Sequence, residues 1–258
     1  MKVQVYPTSD DLGRAAAQRC ASLLNDYVKA QGEARLLLST GNSQLDTLKH
    51  LVKMDVAWEQ VTMFHLDEYV DLSDNHPASF RKYLREKFTE LVPLKRAVFV
   101  SGEEDVEDNI RQLSNEVQQA PIDVALVGIG ENGHIAFNDP PADFDTQEAY
   151  IVVELDERCK QQQVGEGWFT DLDSVPKRAV TMTVQQILKS KTILSCVPYG
   201  VKAKAVKSAL EQDVTPMVPA TILQTHPDVT LFVDRESSAQ VSPEVLRKYT
   251  SDEAQKPV

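Results

Sequence analysis

Positive charge, cysteine and long apolar runs are all scarce in this chain. Its 27 Lys and Arg stand against 39 Asp and Glu, a formal net charge of −12. A surface of that sign cannot release counterions from a phosphate backbone or dock on an anionic bilayer, so nucleic acid and membranes are excluded as general partners. An anionic ligand would need a local device, such as the free N–H groups at the start of a helix. Three cysteines, Cys20, Cys159 and Cys196, are widely spaced and odd in number; they offer neither a disulfide framework nor a C-x-x-C metal knuckle and read as small core residues. No apolar stretch approaches the roughly 20 residues of a membrane helix, and the opening "MKVQVYPTSDD" lacks the basic flank and apolar segment of a secretion signal, which points to the cytoplasm. Glycine and proline, 10 and 13 in number, are spread out rather than bunched, which excludes a fibre or a disordered chain.

What is present is the composition of a globular protein, 42% hydrophobic and 26% charged over 258 residues, enough for one large domain with a lid but tight for two domains. Short apolar runs alternate with amphipathic stretches of helix length, without repeats, and that alternation defines an α/β fold. "KVQVY", "ARLLLS", "VTMFHL", "AVFVS", "IDVALVGI", "YIVVEL", "AVTMT", "TILSCV" and "VTLFV" are the expected strands, most of them apolar on both faces as in a mostly parallel sheet with helices on each side. Helices are expected from Thr8–Asp10 to Gly32, from about Gln44 to Lys53, over "HPASFRKYLREKFTEL" with its proline in the first turn, and over "VEDNIRQLSNEVQQ" and "GVKAKAVKSALEQ". The glutamine-rich segment at about 158–176 breaks the rhythm and is expected to be an irregular lid, and the polar tail at about 250–258 to be mobile.

In such sheets ligands bind beyond the carboxyl ends of the strands. After the strand "IDVALV" comes "GIGENGHIAFNDPP", in which Gly128, Gly130 and Gly133 spell G-x-G-x-x-G with Glu154 about 20 residues beyond, the pattern of a dinucleotide site. Pro140 and Pro141 deny it the long helix that a nicotinamide or flavin would need, and no redox cofactor is expected. The chemical alternative fits better. Glycines let backbone and a reactive carbon approach closely, while His134 exchanges protons and Asp139 orients it. Asp67 and Glu68 follow "VTMFHL" directly, and a carboxylate desolvated there is a strong base, suited to removing a proton alpha to a carbonyl. Ser39, Thr40, Gly41, Asn42 and Ser43 open a helix and form a phosphate cradle, with Lys202 as a point charge in the first turn of another helix. His65, Asp67, His76, His134 and Asp139 lack any one-face metal spacing, so no metal is expected.

"LDEYVDLSDNHPASFRKYL" and "GIGENGHIAFNDPP" resemble the two signature loops of the glucosamine-6-phosphate deaminase (isomerase) family, and the likeness in order and spacing runs from about residue 1 to 236. The resemblance implies a modified Rossmann-like fold shared with 6-phosphogluconolactonase, whose corresponding loops read differently. It implies a sugar-phosphate substrate and conversion of glucosamine 6-phosphate and water to fructose 6-phosphate and ammonia. Asp67 would move a proton between C2 and C1. His134 would serve ring opening with Asn132 and Asp139. Glu68, Gly133, the 39–43 loop and Lys202 would bind substrate. Many members have Glu at the position of Asp139, some have Asp at that of Asn132, the phosphate loop reads "TGNS" rather than a "TGGTP"-like form, and "QQQVGEGWFTDLDSVP" offers no lid arginine. A deaminase of another amino-sugar phosphate such as galactosamine 6-phosphate, a lactonase-type hydrolase and a non-catalytic sugar-phosphate sensor therefore stand as alternatives. The family often forms trimers or hexamers, so a homo-oligomer is left open.

Overall fold

A computed structural model describes residues 1–250, and all but the first residue of the expected mobile tail lies outside them. Seven strands form one parallel sheet in the order β1 (Lys2–Tyr6), β10 (Val229–Asp234), β9 (Thr192–Val197), β6 (Val124–Val127), β2 (Ala34–Leu38), β3 (Val61–His65), β5 (Arg96–Val98). Alternate residues of each strand feed opposite faces: Leu37, Phe64 and Ile193 join one core, while Leu36, Leu38, Met63 and Leu194 join the other. Helices α1 (Ser9–Gln31) and α2 (Leu45–Leu51) cover the second face, and α4 (Val106–Val117), α6 (Val184–Leu188) and α7 (Ala203–Glu211) the first. Local chemistry explains the limits of α1: the Thr8 side chain accepts from Asp11 N–H, and Gly32, at φ 84°, closes the helix with a bond to the Val28 carbonyl.

Three expectations are corrected. "YIVVEL" and "AVTMT" do not join the parallel sheet; as β7 (Tyr150–Glu154) and β8 (Arg178–Met182) they pair antiparallel with a short strand, β4 (Asp67–Tyr69), in a second sheet. Exposure along β7 alternates, the mark of a sheet with one wet face. The helix expected over "HPASFRKYLREKFTEL" begins only at α3 (Phe80–Leu84), because Ser79 caps it by accepting from Lys82 N–H; Pro77 lies outside, and Arg85–Thr89 continue as a π-helical turn. The segment at 158–176 is not irregular at its start: α5 (Glu157–Gly165) is capped by Asp156 and followed by turns. A short C-terminal helix, α8 (Pro243–Tyr249), was not anticipated.

The strands β9, β6, β2 and β3 are adjacent in the middle of the sheet, and their register brings Leu194, Leu126, Leu38 and His65 side by side. All four chain segments that leave their carboxyl ends consequently meet. The chain crosses from one side of β2 to the other between β3 and β6, the kind of switch point at which open α/β sheets hold ligands.

Candidate active site

The loop after β6 is a tight fold around an imidazole. Gly130 N–H donates to the His134 carbonyl at 2.9 Å and Gly133 N–H to the Gly130 carbonyl at 3.0 Å, with Gly133 at φ 87°. The ring of His134 lies on Gly130, where an added Cβ would overlap Nε2, so glycine is required there to admit the side chain. Turns rather than a helix follow Gly133, and the dinucleotide reading has no structural support. Asp139 stands behind His134: Nδ1 is 3.0 Å from Oδ1, close but without the alignment of a hydrogen bond. Asn132 ties the group together, its Nδ2 donating to Asp139 Oδ1 at 3.0 Å and its Oδ1 accepting from His134 N–H at 3.0 Å. Burial pushes the Asp139 carboxyl up, but the imidazole and the Asn132 amide outweigh it and hold its pKa below the usual carboxylate value. An ionised carboxylate beside Nδ1 favours a proton there and leaves Nε2 to exchange protons.

Asp67 opens β4, paired in register with Thr181 of β8, and is only 5% exposed. Burial, and then the neighbouring Glu68 carboxylate, push its pKa well above the ordinary value, which makes the ionised form a strong base. Glu68 points elsewhere. Its carboxylate accepts from the backbone N–H groups of Tyr69, Phe80 and Arg81 and from Ser79 Oγ, at 2.8–3.2 Å, and pairs with Arg81 Nε at 3.4 Å. It fastens α3 to β4 and is absent from the cavity wall, contrary to its expected contact with substrate. The alternation of β4 explains this: Asp67 and Glu68 are consecutive strand residues and face opposite ways. Gly133 likewise shapes the loop without reaching the wall, and Asp139 acts from behind it.

The wall of a cavity of about 950 Å³ carries Asp67, Asn132 and His134 together with Ser39, Thr40, Gly41, Asn42, Ser43 and Lys202. Gly41, at φ 95°, turns the chain into the first helical turn, and the buried Gln44 amide donates to Ser43 Oγ at 3.0 Å and to the Cys196 carbonyl at 3.2 Å, which fixes the cradle on β9. Lys202 is 5% exposed; burial pulls its pKa down against the raising effect of Glu166 and Glu131. Beside it Tyr199 holds a left-handed φ of 77°, a strained backbone of the kind found at binding sites. Sequence reasoning missed the residues that α5 and its C-cap contribute: Arg158, Gln161 and Gln162 of the helix and Glu166 just beyond it line the same cavity. Their only signal was the break in periodicity itself, since polar residues over a whole helix fit a wet cavity better than a core.

Of the five residues weighed as metal ligands, His134 and Asp139 come together, with Cys159 rather than another histidine as the third member; the ligand atoms lie within 4.8 Å of one another. His65 is fully buried against Phe99, and His76 Nδ1 accepts from Ala78 N–H.

A desolvated carboxylate, an imidazole beside a second carboxylate, a polar glycine-containing loop and two cations, Lys202 and Arg158, are gathered around one cavity. Residues 7–232 match the family of glucosamine-6-phosphate isomerases/6-phosphogluconolactonases, and the chain belongs to that family. It is 32% identical to the glucosamine-6-phosphate deaminase of Thermoanaerobacter pseudethanolicus over 96% of this chain and 98% of that one. With glucosamine-6-phosphate deaminase 1 of Bacillus subtilis the identity is 34%, over 93% and 99% of the two chains. Among solved structures, a monomeric glucosamine-6-phosphate deaminase superposes with a TM-score of 0.86 at 34% identity, covering 93% of this chain and 100% of that one. A 6-phosphogluconolactonase from Shewanella baltica shares the fold at a TM-score of 0.76 and 19% identity, covering 91% of this chain and 97% of that one.

Proposed function

We propose that the chain is a glucosamine-6-phosphate deaminase that converts glucosamine 6-phosphate and water to fructose 6-phosphate and ammonia. The observation that carries the reading is Asp67, a desolvated carboxylate on the same cavity wall as His134. A lactone hydrolase needs a nucleophile and a place for an oxyanion; a base of this strength suits removal of a carbon-bound proton. His134, held by Asp139, takes the proton from the C1 hydroxyl of the closed sugar and delivers one to the ring oxygen, opening the ring. Asp67 then removes the C2 proton from the open-chain aldose. Returning that proton to C1 turns the resulting enolamine into an imine at C2, and water cleaves it to the ketone and ammonia, which is the hydrolytic part of the reaction.

The 39–43 loop and Lys202 receive the phosphate, with Arg158 as the second cation on the wall. We read α5 and the turns up to Pro176 as the lid of the single domain. The three free, buried cysteines agree with a reducing compartment such as the cytoplasm. Purified protein should release ammonia and form a ketose phosphate from glucosamine 6-phosphate. Ammonia from galactosamine 6-phosphate alone would move the assignment to another amino sugar. Hydrolysis of 6-phosphogluconolactone without ammonia from either sugar, or calorimetric binding without any turnover, would overturn it.

A further inference from the structure

We propose that Tyr83 is a positioning residue for the 39–43 loop: its hydroxyl holds the Gly41–Asn42 peptide with the carbonyl turned into the protein and the N–H turned to the cavity. The phosphate role of the loop rests on the reading above; the contact itself does not. Tyr83 Oη donates to the Gly41 carbonyl at 3.0 Å, and Gln44 N–H donates to the same oxygen at 3.1 Å. In a trans peptide the C=O and the N–H that follows it point in opposite directions, so two donors on the Gly41 oxygen also fix the direction of Asn42 N–H. Ser39 N–H is used by the Leu126 carbonyl, whereas the N–H groups of Thr40, Gly41, Asn42 and Ser43 meet no acceptor among the described residues, and all four residues line the cavity. Successive free N–H groups of this kind form a concave anion site.

A flipped peptide would aim the Gly41 oxygen, instead of a donor, at an anion. Glycine makes that flip easy, because Gly41 at φ 95° has no Cβ to oppose it and nothing stands within 4 Å of where one would be. Tyr83 is fit to oppose it. Its side chain is buried in the second core, edge-on to Trp168 with the ring centres 6.4 Å apart. Burial pushes the phenol pKa up, so the hydroxyl stays a donor. Tyr83 N–H donates to the Ser79 carbonyl at 3.0 Å, and the Glu68 carboxylate accepts from Ser79, Phe80 and Arg81, which ties α3 to the strand that carries Asp67. The Tyr83 hydroxyl extends that tie to the loop after β2 and so fixes where a phosphate would sit relative to the proposed base.

Tyr83→Phe removes one oxygen atom and keeps the packed ring. Gln44 N–H shares the Gly41 carbonyl with Tyr83, so its hydrogen exchange in the ligand-free variant should run about tenfold faster than in wild type. Inorganic phosphate, titrated by NMR, should bind about tenfold more weakly, and with glucosamine 6-phosphate KM should rise about tenfold with kcat within about twofold. A tyrosine that only filled the core would lower the melting temperature and move none of these. Unchanged Gln44 exchange, unchanged phosphate affinity, or a fall in kcat with KM unchanged overturns the proposal. Wild-type protein that binds phosphate yet turns over no amino-sugar phosphate counts against the deaminase reading, and the exchange and phosphate measurements then decide on Tyr83 alone. Wild-type protein that binds neither inorganic nor sugar phosphate removes the phosphate reading, and the proposal with it, before any substitution is made.

Discussion

Asp67 and Glu68 are adjacent carboxylates with opposite tasks, and substitution separates them. Asp67→Asn removes the proposed base from the cavity, and turnover should fall by about 10²–10⁴-fold. The same change should stabilise the fold. Because the folded pKa of Asp67 is raised, ionisation costs stability: wild type and variant should match below pH ~4, near the unfolded value, and the variant should lead as pH rises through the folded pKa. Thermal melts at several pH values test this, with a gain of about 2–4 °C at neutral pH if the relief is ~1 kcal/mol. In the wild type, the acidic limb of kcat/KM should lie above the ordinary aspartate value of 3.8. Glu68→Gln should do the reverse. An amide cannot accept from every donor now facing Glu68, so urea denaturation should show a loss of about 3 kcal/mol, with kcat of the protein that remains folded nearly unchanged. Both residues were found in the sequence as one acidic pair; only the pairing of β4 with β8 sends one into the cavity and the other to the start of α3.

Between elements, two glycines control how closely the site parts approach. Gly13 on α1 lies where a Cβ would be 2.7 Å from the backbone of Asp46 on α2, the helix that follows the 39–43 loop proposed to hold phosphate. Gly13→Ala must push the helices apart. It should cost about 1–3 kcal/mol in urea denaturation and raise KM severalfold with little change in kcat. Gly130→Ala acts on the other loop, where the new methyl would occupy the place of the His134 ring. A fall in kcat of about 10²-fold with an intact circular dichroism spectrum is expected. The glycine pattern was visible in the sequence, and Pro140 and Pro141 already excluded a dinucleotide; what no local pattern showed was that Gly130 makes room for the His134 ring. The same limit hid the second sheet. Strands β7 and β8 were recognised as strands, yet their partner β4 is three residues long and includes the candidate base, so no apolar run announced it.

At the scale of the whole molecule, the two sheets share one cavity, and a ligand bound there should stabilise both. At a sugar phosphate concentration of about 100 Kd the gain is ~2.7 kcal/mol, or a rise in melting temperature of about 5–10 °C, and Lys202→Met should abolish most of it. An equal shift in that variant would remove Lys202 from phosphate binding. The sequence by itself determined the α/β class, all seven strands of the parallel sheet, the family, and the short list of candidates, Asp67, His134, Asp139 and the 39–43 loop. It could do so because burial on both faces writes continuous apolar runs, and because glycines and polar residues at strand ends interrupt them. Tertiary structure decided which of those residues meet. Register across β9, β6, β2 and β3 brings four separate loops to one edge, the pleat of β4 parts Asp67 from Glu68, and α5 carries Arg158 to the cavity. Such contacts join residues far apart in the chain, and no local pattern encodes them.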